Sequence, residues 1–207
     1  MLINKILNNL GHHIDTTNLF IYINLMKKFL AIIILGLCFV TPSQADDIRD
    51  FQIEGMSIGE SLLDYFTEDK ILKSKNLTQY KLKKFYMVSI RDNGFKEYDI
   101  MKFHLKEKDN QYVIHSLSGQ LNISISQCLK KQKSVLKQIS KLFSNPRIDD
   151  LGKRPHPAYP NGYTYDIYIH LTSGMFVVSC YDLEVDAFLI SADTNEFNDF
   201  LNDNYGS

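Results

Sequence analysis

Asp166, Tyr168 and His170 stand two residues apart in a run of alternating strand formers, so an extended backbone points a carboxylate, a phenol and an imidazole to one side. They form the tightest acid–base grouping in the sequence, although a structural role for all three is the plainer expectation. The other histidines after residue 45 are His104, His115 and His156. None of the four stands in an HxH or HExxH spacing, so neither a metal nor a cofactor is expected. His115-Ser116-Leu117-Ser118-Gly119 lacks the glycine that precedes the serine in a nucleophile elbow, which leaves no serine marked as a nucleophile. A hydrolase would have to gather its site in the fold from His115, His156, Asp166 and His170. Two or more of these within hydrogen-bond reach in one pocket would favour an enzyme.

Binding chemistry rests on cations. Ser144 to Gly162 is expected to be a long loop stiffened by four of the five prolines, and it carries Arg147, Lys153, Arg154, His156 and Tyr159, groups suited to an anionic or aromatic ligand. Just before them, Lys133, Lys137 and Lys141 recur at helical spacing in a stretch from Ile125 to Ile148 that contains no acid, whereas Pro155 to Ser207 contains acids and no Lys or Arg. The expected partners are an envelope protein or an anionic lipid or ligand meeting the basic face, with solvated charge as the bland alternative. Over the whole sequence 23 Lys and Arg face 24 Asp and Glu, which gives a general nucleic-acid binder no electrostatic basis.

The compartment is read from Lys27-Lys28, the apolar run Phe29 to Val40 and Thr41-Pro42-Ser43-Gln44-Ala45, which together have the form of a secretory signal too short to span a bilayer. The expected division is an upstream extension over 1–25, a signal peptide over 26–45 removed after Ala45, and one domain over 46–207 with no membrane span. An uncleaved anchor would place Lys27 and Lys28 near its middle, at a cost of several kcal/mol. Leu37 is too large for the position before a lipidated Cys38. Cys128 and Cys180 then remain as an even pair in an oxidising compartment. They are expected to form a disulfide closing a loop of about fifty residues, for roughly 4 kcal/mol of chain-entropy stabilisation.

The elements that must position these groups follow from periodicity. Phe51-Gln52-Ile53 and Gly55-Met56-Ser57-Ile58-Gly59-Glu60 predict a short strand and, from the Ser57/Glu60 capping-box spacing, a helix bearing Ile58, Leu62, Leu63 and Phe66. This stretch locally resembles the openings of repeats in small envelope-assembly lipoproteins, and no function is carried over from so short a segment. Phe85 to Ile90, Tyr98 to Leu105 and Tyr112 to Ile123 predict a three-strand meander, with Asp92-Asn93-Gly94 as its first turn and His104 solvent-facing, opposite Met101, Phe103 and Leu105. A helix over Ile125 to Phe143, with Cys128, Val135, Ile139 and Leu142 on its stripe, should cover the meander. Tyr163 to Leu171 and Met175 to Asp182 predict a second hairpin, followed by a short strand at Phe188 to Ser191 and a helix from Thr194 to Leu201. The expected class is α+β, an antiparallel sheet of about five or six strands under one long amphipathic helix. The expected function is a small exported, non-catalytic binding protein, with a hydrolase or a purely structural accessory subunit as alternatives.

Overall fold

A computed structural model describes residues 47–76, 80–143, 146–156 and 159–205. The leader over 26–45, the extension before it and Cys38 lie outside the described residues. Ten strands form. β1 (Gln52–Ile53) and β2 (Met56–Ser57) make a small ribbon, and the other eight make one antiparallel sheet in the order β3-β4-β5-β6-β10-β9-β8-β7. These are β3 (Lys75–Asn76), β4 (Phe85–Ile90), β5 (Ile100–Lys106), β6 (Ser116–Leu121), β7 (Arg147–Pro155), β8 (Tyr163–His170), β9 (Gly174–Asp182) and β10 (Ala187–Thr194). The α+β class holds, but the sheet is larger than the five or six strands expected.

The extra strands are the edges. β7 occupies most of the segment expected as a proline-stiffened loop. It is almost wholly exposed and is bulged between Asp150 and Lys153 beside Gly152 at φ +59°, so it has no buried face to impose an alternating pattern. At the other end, Ser57 N–H does bond Glu60 Oε2 at 2.7 Å, the reciprocal half of a capping box, yet no helix starts there. Gly59 sits at φ +88°, outside helical space, and the chain instead makes a 3-10 turn at Leu62–Asp64 before α1 (Glu68–Lys73), capped by Thr67.

Strand register sorts the sheet into two unlike faces. One carries the aligned rows Phe103, Leu117, Ala192, Phe176, Ile169 and Met101, Gly119, Ile190, Val178, Ile167; their side chains form the main core. Across this face lies α2 (Ile125–Leu142), whose Cys128 and Ile139 are buried and whose Lys130, Lys133, Lys137 and Lys141 face out. Leu142, expected on the stripe, is instead 47% exposed, in the last turn of the helix. Cys128 is bonded to Cys180 on β9, with Cα atoms 5.8 Å apart. One turn along the helix, Gln132 is buried and donates through Nε2 to the carbonyls of Tyr165 and Val178, each at 2.8 Å.

The opposite face carries Met87, His104, Ser116, Asp193, Met175 and His170 in one row and Lys102, Ser118, Ser191, Val177 and Tyr168 in the next. α3 (Asn195–Tyr205) roofs part of this face, starting beside β9 and β10 and bringing Phe197 and Phe200 to Phe85 and Tyr80 in a satellite core. Because Gln132 satisfies two strand carbonyls, Gln132→Leu should destabilise the protein by about 1–2 kcal/mol in denaturant titration although it makes the stripe more apolar. Equal or greater stability would show that those bonds contribute nothing net.

Candidate functional site

Between α3 and β7 the uncovered face forms a groove of about 730 Å³. Its walls are Phe197, Asn198 and Leu201 on one side and Arg154, Pro155 and His156 on the other. A larger cleft of about 1010 Å³ lies between α2 and the β1–β2 ribbon, but polar groups at its rim are engaged with one another. There Glu54, at φ 54°, holds the amides of Lys96, Glu97 and Tyr98 at 2.6 to 3.2 Å, and Lys70 pairs with Asp92. The groove is the better site because its floor carries buried polar groups.

Two carboxylates anchor that floor, in different ways. Asp166 on β8 accepts from Thr164 and Ser179 hydroxyls at 2.6 Å each and from the Arg154 guanidinium at 2.7 Å. Asp193 on β10 accepts only from hydroxyls, Ser116 at 2.5 Å and Ser191 at 3.0 Å. No cation among the described residues reaches it, and burial pushes its carboxyl up to about 6, the two hydroxyl bonds offsetting only part of the shift. Since the Ser116 proton goes to Asp193, the 2.9 Å contact between Ser116 Oγ and His104 Nδ1 requires Nδ1–H as donor. The imidazole is thus the neutral tautomer with a bare Nε2, which has no hydrogen-bond partner among the described residues. Burial, with Lys102 nearby, drives it down to about 3.

His104 is therefore not solvent-facing. Its strand face is the expected one, but α3 stacks Phe197 on the ring at 4.4 Å between centroids and leaves it 7% exposed. Nor does Ser116 read as a nucleophile. In a serine nucleophile site the imidazole stands between serine and carboxylate and takes the serine proton; here the serine stands in the middle, gives its proton to the carboxylate and is 1% exposed.

Of the residues singled out from sequence, Arg154, His156 and Asp166 line the groove. Tyr159 packs edge-on against His156 at 4.8 Å. His170 lies outside it, 2.9 Å from the Asp149 carboxylate and 3.1 Å from Arg147. His115 lies beside Phe85, 3.7 Å from Glu196. Lys153 points to the other side of β7, over the Tyr163 ring at 3.9 Å and 3.7 Å from Asp182. Lys133, Lys137 and Lys141 sit on the outer face of α2 and form no ion pair among the described residues. The sheet thus separates the lysine row from Arg147 and Arg154, and the two do not make one continuous basic surface. From sequence no role in a site fell to Lys102, His104, Ser116, Ser118, Ser191 or Asp193. Their only signal is polar residues at every second position of β5, β6 and β10, the same signal an ordinary solvated face gives.

Among the described residues no group of three or more His, Cys, Asp or Glu is placed to hold a metal ion, and no helix is long and apolar enough to cross a membrane. No family model, curated protein or solved structure matches the chain.

The two buried groups pull stability in opposite directions with pH. Asp193, raised in the folded state, binds a proton there before it does in the unfolded chain, so its contribution improves as pH falls from about 7 to 5. His104, lowered in the folded state, leaves the unfolded chain to bind the proton, so its contribution worsens over the same window. Relative to wild type, His104→Gln should therefore gain, and Asp193→Asn should lose, on the order of 1 kcal/mol between pH 7 and pH 5 in urea titrations. Parallel pH profiles for all three proteins would contradict the assignment.

Proposed function

We propose that this is a small exported protein of the periplasm or envelope that binds a ligand in the groove rather than transforming it. The supporting observation is that every carboxylate oxygen on the groove floor accepts a bond from the protein itself: Asp166 from Arg154, Thr164 and Ser179, and Asp193 from Ser116 and Ser191. A general base must be able to receive the substrate's proton, and a carboxylate engaged in this way serves better as a fixed polar surface. Export rests on the leader ending at Ala45 and agrees with the Cys128–Cys180 bond, since disulfides persist in oxidising compartments. The row Lys133, Lys137 and Lys141 remains a second contact surface for an anionic lipid or an envelope protein, acting apart from the groove.

Asp166 and His156 share the groove, and that observation favours a hydrolase as the second reading. Val177 offers a test, because it faces the groove from β9 without joining the carboxylate bonds. Native mass spectrometry of protein from the envelope fraction should show a mature species beginning at Asp46 with a small-molecule adduct. Val177→Trp should lose the adduct and keep the thermal midpoint. Turnover of ester, glycoside or phosphoester substrates that Asp166→Asn abolishes would establish the hydrolase instead.

A further inference from the structure

Of the two groove cations Lys102 and Arg154, the Lys102 ammonium is the one that the fold leaves without a counterion among the described residues. Lys102 is half-buried on β5, while Arg154, the other groove cation, is spent on Asp166. A comparably buried lysine elsewhere, Lys75, has Glu107 at 2.8 Å. What Lys102 has is a like charge: burial first, and then Arg91, lower its pKa, so the site resists the very cation it holds. A charge buried without a partner is costly, and neither groove carboxylate is spare to relieve it. Two residues along the same strand face, His104 holds a buried Nε2 that has no hydrogen-bond partner among the described residues, in a ring that lines the groove.

We propose that the groove binds a small amphipathic monocarboxylate that also carries a hydroxyl or N–H donor, its carboxylate on Lys102 and its donor inserted beside Phe197 to reach the buried His104 Nε2. This rests on the groove being the ligand site. Residues at i and i+2 of a strand lie roughly 7 Å apart, so the carboxylate and the donor stand within a few bonds of each other. Ser118 faces Lys102 across the β5–β6 register and adds a hydroxyl for the second carboxylate oxygen. Met175, Val177, Leu189 and Leu201 supply the apolar contact for the ligand's body. A phosphomonoester fits less well, because one ammonium answers a single negative charge and the groove's guanidinium is already committed.

The test uses the ¹⁵N-labelled mature protein and three probes of one shape: 3-phenyllactate, with carboxylate and hydroxyl; 3-phenylpropanoate, with carboxylate alone; and 3-phenylpropane-1,2-diol, with no charge. 3-Phenyllactate should shift the amide resonances of Lys102, His104 and Ser118 and bind about five-fold or more tighter than either relative. Lys102→Met should weaken it about ten-fold while leaving the thermal midpoint equal or higher, since an uncompensated cation is removed. If the diol binds as tightly as 3-phenyllactate, or if Lys102→Met leaves 3-phenyllactate unchanged, the carboxylate assignment fails and the groove stands. If none of the three probes moves a groove resonance, the groove fails with it. The comparison of probes on the wild-type protein decides the matter even if the variant does not fold.

Discussion

Helix α2 can cover only one face of the eight-stranded sheet, and the Cys128–Cys180 bond fixes which one. Cys180 alternates with Ser179 and Tyr181 along β9, so tying it to the helix commits Cys180, Val178 and Phe176 to the core and turns Ser179, Tyr181 and Val177 the other way. Gln132 strengthens the same choice by bonding carbonyls of the two strands beneath it. Strand register then carries the division across β10, β6 and β5, where Asp193, Ser116 and His104 fall in one row. The C-terminal helix α3 follows its aromatics to Phe85 and Tyr80 and roofs only part of that polar face. The remainder is the groove.

Two buried carboxylates on one face call for two forms of compensation. Asp166 lies within reach of the edge strand and obtains a guanidinium as well as two hydroxyls. Asp193 lies near the middle of the sheet, where β6 supplies Ser116 and its own strand Ser191, and its carboxyl rises accordingly. Hydroxyls can orient a carboxylate but cannot neutralise it. Both arrangements give a lining whose donors and acceptors are already positioned, and such a surface loses little freedom when a ligand arrives. What the lining does not satisfy, Lys102 and His104 Nε2, is what distinguishes the groove from a merely well-bonded polar face.

The sequence disclosed whatever a buried face writes into it. The helix over Ile125–Leu142, strands β4, β5, β8 and β9 and the partnership of Cys128 with Cys180 were all readable, because each pairs a periodic apolar face with one core. β7 was hidden because an exposed, bulged edge strand has no such face. The short helix after Ser57 was over-read because the capping-box spacing is silent about Gly59 and its left-handed backbone. The groove was least readable. Ser116, Ser118, Ser191 and Asp193 are the polar half of alternating strands, and only the later arrival of Phe197 and β7 turns that half from a wet surface into a walled one. Asp166, Arg154 and His156 were noticed for their chemistry, but the register that joins the first two, with Arg154 opposite Thr164, depends on the bulge in β7.

The most direct measurement is the protonation state of His104, since the bare Nε2 follows from the whole chain of bonds running from Asp193 through Ser116. Long-range ¹H–¹⁵N correlation spectra of the imidazole rings should show His104 as the neutral Nδ1–H tautomer at pH 7, where Asp193 is still a carboxylate, and as an uncharged ring down to pH 5, with its Nε2 resonance moving when 3-phenyllactate is added. An Nε2–H tautomer at pH 7, or an imidazolium titrating between pH 5 and pH 7, would contradict the account of the groove.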